Sequence, residues 1–269
     1  DRAAAGPEEA AAAASARAEL ALGNRLAKKL YGRLQQLAQD GTAAELACVL
    51  AAAARMGTMD GQTYAAAAAA FANGPQLQQA SDTQLAAVMY AVAAFSSSCT
   101  AQGISAQASG FPKQQQHAVL KECAFQVCRL LQRQQQQAAA ASGAAATAAA
   151  GAAGVEPSTV VMTVWALATA GVRVPKAVLS RLFDMLDQPS SISKLTGSRS
   201  SSNKTAQQQQ QQQQLSLDEV ARTCCTVLWA AAQLQYVQPG MSLAKAYVAG
   251  FMRALPAVPV ACSITTVLQ

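Results

Sequence analysis

Apolar positions along this chain recur four apart in short blocks, and the blocks themselves recur. Leu46, Leu50 and Ala54 stand at i, i+4 and i+8. So do Leu85, Met89 and Ala93, then Val160, Val164 and Ala168, then Cys224, Leu228 and Ala232. Residues at that spacing share one face of a helix, so each block predicts a helix with one buried stripe. No stretch alternates strictly enough for a buried strand. Alanine at i+8 lets a neighbouring helix come close. Gly57 and Gly171 follow two blocks at the place where a left-handed residue ends a helix. Pro175 and Pro239 then suit the first turn of a second helix. The segments that follow, KAVLSRLFDML and SLAKAYVAGFMRAL, again have helical period. The pattern predicts an all-α chain of helical hairpins.

The blocks belong to a longer repeated phrase. STVVMTVWALATAGVRVP (158–175) and RTCCTVLWAAAQLQYVQP (222–239) align at an offset of 64, which pairs Trp165 with Trp229 and Pro175 with Pro239. TQLAAVMYAVAAFS (83–96) is a third copy, with Tyr90 in the tryptophan place, and AAELACVLAAAARMG (43–57) a fourth, with Ala51 there. These anchors, Ala51, Tyr90, Trp165 and Trp229, are 39, 75 and 64 residues apart. Low-complexity segments at 97–116, 134–154 and 189–214 account for the long intervals, and their removal restores a period of about 38–39, in the range of helical repeats. The expected organisation is an Ala-rich segment over 1–16, helical repeats over 17–96 and the second helix of repeat 2 over 117–133. Repeat 3 follows over 155–188, repeat 4 over 215–257 and the start of a fifth over 258–269, with Leu268 in the anchor place. Asp1 and that incomplete fifth copy lead to the expectation that the chain is a fragment of a longer array. A repeated hairpin is expected to stack on its neighbours as an α-solenoid, with disordered insertions between units.

The phrase VWALATAG, followed by a short gap, a proline and an amphipathic helix, resembles the octotricopeptide repeat of green-algal organellar RNA-binding proteins. Residues 158–187 resemble it best and 218–256 next; 83–133 do so through the first helix, and 43–72 are degenerate. The resemblance implies an α-solenoid that binds RNA in a chloroplast or mitochondrion and supports maturation, stability or translation of transcripts. Some members of that family are structural subunits of the mitochondrial ribosome, which is a second expectation. A protein–protein scaffold without RNA is a third.

Composition bears on these expectations. Hydrophobic residues make up 52% of 269, enough for a sizeable core, but much of this is alanine, and aromatics are only 5%. Alanine favours helix and buries little area, so stability should come from stacking between neighbours. Roughly 60–80 residues, in the insertions and at the start, are expected to be disordered. The net charge is +6. Arg25, Lys28 and Lys29, with Arg33, form one basic cluster, and Arg173 and Lys176, with Arg181, another. They read either as solvated helix faces or as contacts to RNA phosphates, where Lys and Arg displace condensed counterions.

Readout of bases in helical-repeat RNA binders uses polar side chains on successive first helices. Two columns beside the core stripe vary in polar character: Glu45, Gln84, Thr159 and Thr223, and, one residue earlier, Ala44, Thr83, Ser158 and Arg222. They read either as RNA-binding positions or as helix N-terminal caps. If they read bases, exchanging Gln84 and Thr159 changes base selectivity, whereas replacing Trp165 unfolds the unit.

Catalytic chemistry is not expected. His117 is the only histidine and has only Glu122 as a nearby acid. Asp184 pairs with Arg181 at helical spacing better than with Asp187 around a metal. No GxGxxG or P-loop motif occurs. Seven cysteines include no CxxC pair, so neither a metal nor another cofactor is expected, and an odd cysteine count points to a reducing compartment. No run was long and apolar enough by sequence to predict a membrane span, and 1–16, with Glu8 and Glu9, is unlike a transit peptide.

Overall fold

A computed structural model describes residues 25, 28, 29, 32–56, 61–105, 109–140, 155–188, 191, 195, 206–236, 245 and 247–249. All regular structure among the described residues is helical, so the protein is all-α. The helices are α1 (Ala43–Met56), α2 (Gly61–Asn73), α3 (Pro75–Gln79), α4 (Asp82–Ala101), α5 (Lys113–Ala140), α6 (Pro157–Thr169), α7 (Lys176–Leu186) and α8 (Ala206–Gln233). Helical residues 32–40 precede α1.

The helices pack in two rows. In the first row α1 lies against α4, α4 against α6, and α6 against α8. In the second, α2 lies against α5 and α5 against α7. Gln35 reaches Thr63 of α2 at 3.5 Å, which puts helical residues 32–40 at the start of that row. At its far end the Tyr247 hydroxyl donates to the Leu186 carbonyl of α7 at 3.2 Å. Each first-row helix is therefore the leading helix of one repeat, in sequence order.

The core columns explain this packing. Leu46, Leu85, Val160 and Cys224 are buried, as are Leu50, Met89 and Val164, and Ala54, Ala93 and Ala168. A buried leucine or methionine contributes ~1.5–3 kcal/mol, whereas the alanines contribute close approach. In α8 the pattern loosens: Leu228 is partly buried and Ala232 is exposed. A cluster of Tyr64, Phe95 and Phe111 joins α2, α4 and the lead into α5, with ring centroids 5.0–5.8 Å apart. α4 has the length and apolarity that a bilayer span requires at minimum. Its Leu85, Val88, Met89, Val92 and Phe95 are instead buried in the protein core.

Capping fixes the helix ends. Thr42 and Glu45 form a reciprocal capping box at α1, with Glu45 N–H donating to Thr42 Oγ1 and Thr42 N–H to Glu45 Oε2. Ser81 and Gln84 do the same for α4. α6 begins at Pro157 and is capped from the preceding unit. Asp82 Oδ2 accepts the Glu156 N–H at 2.9 Å and the Thr159 hydroxyl at 3.2 Å. Three leading helices end alike. Gly103, Gly171 and Gln235 have positive φ, and the amides of Ile104, Val172 and Tyr236 reach back five residues to Cys99, Leu167 and Ala231 at 2.9 Å. These are the paired carbonyl contacts of a Schellman motif.

Three expectations on boundaries change. α4 ends at Ala101 with its left-handed residue thirteen after Tyr90, against six after Trp165 and Trp229. Two added turns of helix thus fill the start of the 97–116 segment. α5 runs to Ala140, past the expected limit at 133. The Gln tract 207–214, expected in a disordered insertion, is helical and opens α8, because glutamine is a good helix former. Pro175 is the N-cap of α7 rather than its first residue. Gly57, Pro239, Leu268, residues 1–16 and 258–269 lie outside the described residues.

Candidate nucleic-acid interface

Each first-row helix has two neighbours in its row and a second-row helix behind it, which leaves one open face. Four positions make that face: seven and three residues before the anchor, the anchor itself, and four after it. None of them is buried in any of α1, α4, α6 or α8. The anchors therefore do not brace the core. They run down the middle of the outer face, a placement that a core stripe plus one position did not reveal.

Adjacent anchors touch. Tyr90 of α4 and Trp165 of α6 stack with centroids 5.6 Å apart and planes 23° from parallel. Arg55, one turn beyond Ala51, lies over the Tyr90 ring at 6.0 Å from its centroid, within the range of a cation–π contact. Trp229 continues the column on α8, where it is 40% exposed. The face carries Arg55 and Arg222 and no carboxylate. Arg55 was not singled out from sequence, and the signal was present: it follows an anchor by one turn.

The candidate readout columns have separate fates. Glu45 and Gln84 are the third residues of their helices and are committed to capping boxes. The Thr42 amide and hydroxyl, with Arg33 at 3.3 Å, hold the Glu45 carboxyl below the usual glutamate range. Thr159, 2% exposed and bonded to Asp82, is not open to a ligand. Thr223 is half-buried inside α8. The polar character of this column thus has a structural cause at three of its four positions. The column one residue earlier, Ala44, Thr83, Ser158 and Arg222, is exposed throughout.

The basic clusters stand apart. Arg25, Lys28 and Lys29 are exposed on helical residues ahead of α1. Arg173 is exposed in the link between α6 and α7, and Lys176 opens α7. α1 and α4 precede α6 in the row, so the two clusters do not merge into one site. Arg181 is engaged with Gln132 of α5 at 3.1 Å. His117 bonds the Ala170 carbonyl at 3.0 Å and ties α5 to the end of α6. Asp184 accepts from Ser180 at 3.0 Å, so the pairing with Arg181 expected from spacing is replaced by partners on either side. Among the described residues no group of three His, Cys, Asp or Glu side chains converges on a metal-sized site.

No family model, curated protein or solved structure matches this chain.

Proposed function

We propose that the protein is an α-solenoid that binds single-stranded RNA and supports organellar gene expression. One observation carries the reading. Helices that align as repeats in sequence also pack consecutively, and equivalent anchors, Tyr90 and Trp165, meet face to face. An array with one open face per unit offers an extended surface suited to a linear ligand. The resemblance to octotricopeptide repeats gives that ligand as RNA. The net charge of +6 and the exposed Arg25, Lys28, Lys29, Arg173 and Lys176 are compatible with phosphate contacts. On this reading the chain binds and does not catalyse, and it works in a chloroplast or mitochondrion.

Crosslinking the native protein to RNA in the organelle, with sequencing of what is bound, tests the proposal. Recovery of one short transcript region supports a transcript-specific factor. Recovery of one dominant rRNA segment moves the chain to the structural ribosomal reading. Absence of RNA above background rejects both and leaves a protein scaffold.

A further inference from the structure

The anchor column is a ladder with one open rung. Arg55 covers one side of Tyr90, and Tyr90 and Trp165 cover each other. No other ring pairs with Trp229 among the described residues, and it is 40% exposed. A tryptophan left this open exposes a flat apolar ring to water, the surface on which any nucleobase can stack. Its surroundings select the occupant. Arg222 lies seven residues earlier on the same face of α8, about 10 Å along the helix at 1.5 Å per residue. A base on the ring therefore places a neighbouring phosphate within reach of the guanidinium. On the other side Gln233, exposed one turn beyond the ring, carries an amide that can donate to or accept from a base edge. The Thr169 hydroxyl, at the place in α6 that Arg55 occupies in α1, has no hydrogen-bond partner. The absence of carboxylates from this face removes the usual repulsion of a phosphate backbone.

We infer that Trp229 is a base-stacking platform for single-stranded RNA, with Arg222 as its phosphate contact. The inference deepens the RNA-binding reading and rests on it. It moves recognition from the helix N-terminal column, whose side chains are spent on caps, to the anchor column. Stacking of this kind is tolerant of base identity, so the Trp229 rung contributes affinity and little selectivity.

The chain contains only Trp165 and Trp229, so Trp165→Phe leaves Trp229 as the sole tryptophan reporter. We would titrate that variant of the full chain with single-stranded uridine and adenosine 12-mers and follow its emission. In the otherwise native chain, affinities of Trp229→Ala and Trp229→Phe would be compared by anisotropy with the same labelled oligonucleotides. The expected result is quenching of Trp229 on binding, a loss of roughly tenfold for Trp229→Ala, the scale of one base–aromatic stack, and near-parental binding for Trp229→Phe. Binding that leaves Trp229 emission unchanged, or equal affinity in Trp229→Ala, overturns this inference and leaves the RNA reading standing. No binding by the parent chain overturns both.

Discussion

Replacing Asp82 with alanine should loosen the joint between the second and third repeats. Asp82 is the first residue of α4, yet its carboxylate caps α6, 74 residues on in sequence at Glu156. It accepts the Glu156 amide at 2.9 Å and the Thr159 hydroxyl at 3.2 Å. Hydrogen bonds to a charged acceptor contribute ~1.5–3 kcal/mol each. The amide belongs to an exposed residue and regains water on mutation, so its share is small. The Thr159 hydroxyl is 2% exposed and regains none. A buried hydroxyl left without its partner costs ~1–3 kcal/mol, and loss of a negative charge at the α4 N-terminus adds ~0.3–1 kcal/mol. The expected destabilisation is about 2–3 kcal/mol, with Asp82→Asn falling between. Urea denaturation measures the total. A double-mutant cycle with Thr159→Val isolates the contact and should return a coupling near 1 kcal/mol. Faster amide exchange at residues 156–160 would locate the effect. A loss below about 0.5 kcal/mol, or a coupling of zero, would mean that this cap does not hold the two repeats together.

Three further outcomes are expected. Gln235 takes the left-handed position that Gly103 and Gly171 hold elsewhere, at φ 52°, so Gln235→Gly should stabilise the chain by about 1 kcal/mol, read as a raised thermal midpoint. Burial pushes the Cys123 thiol up to about 12 and the Cys128 thiol up to about 11, whereas Cys48 is exposed. Disulfide reagents at pH 8 should therefore modify Cys48 in the native protein and reach Cys123 and Cys128 only after unfolding; peptide mapping checks the order. Glu45 titrates lower when folded than its ordinary 4.5. Its contribution is present above that value and lost as pH falls through the folded one. The stability gap between the parent chain and Glu45→Gln should accordingly shrink between pH 6 and pH 3.

The buried columns were legible because helical spacing is a local property. Leu46, Leu50 and Ala54, and their equivalents at 85, 89 and 93 and at 160, 164 and 168, are all buried as expected. Gly171 was legible as a helix stop because few other residues adopt φ +65° without strain. The role of the anchors was not legible. Conspicuous tryptophans read as core pillars, and only the packing of α4 on α6 shows that Tyr90 and Trp165 face outward and meet each other. The polar column at Glu45, Gln84 and Thr159 has the variation that a readout column would have. Capping demands the same residue types at the same place, so sequence cannot separate the two causes. Asp82 was invisible because its partners are far along the chain. Gln235 was invisible because nothing marks a glutamine as left-handed. The helical Gln tract was misjudged because low complexity and helix propensity point in opposite directions there.

The most direct test of RNA binding is the affinity of the purified chain for single-stranded RNA, measured across a salt series. The account predicts binding whose logarithm falls linearly with the logarithm of salt concentration, with a slope of about −0.7 for each phosphate contacted. Several basic residues in contact would make that slope steeper than about −2. Binding that is indifferent to salt, or absent at the lowest salt, would contradict the account and leave the open face of the first-row helices to a protein partner.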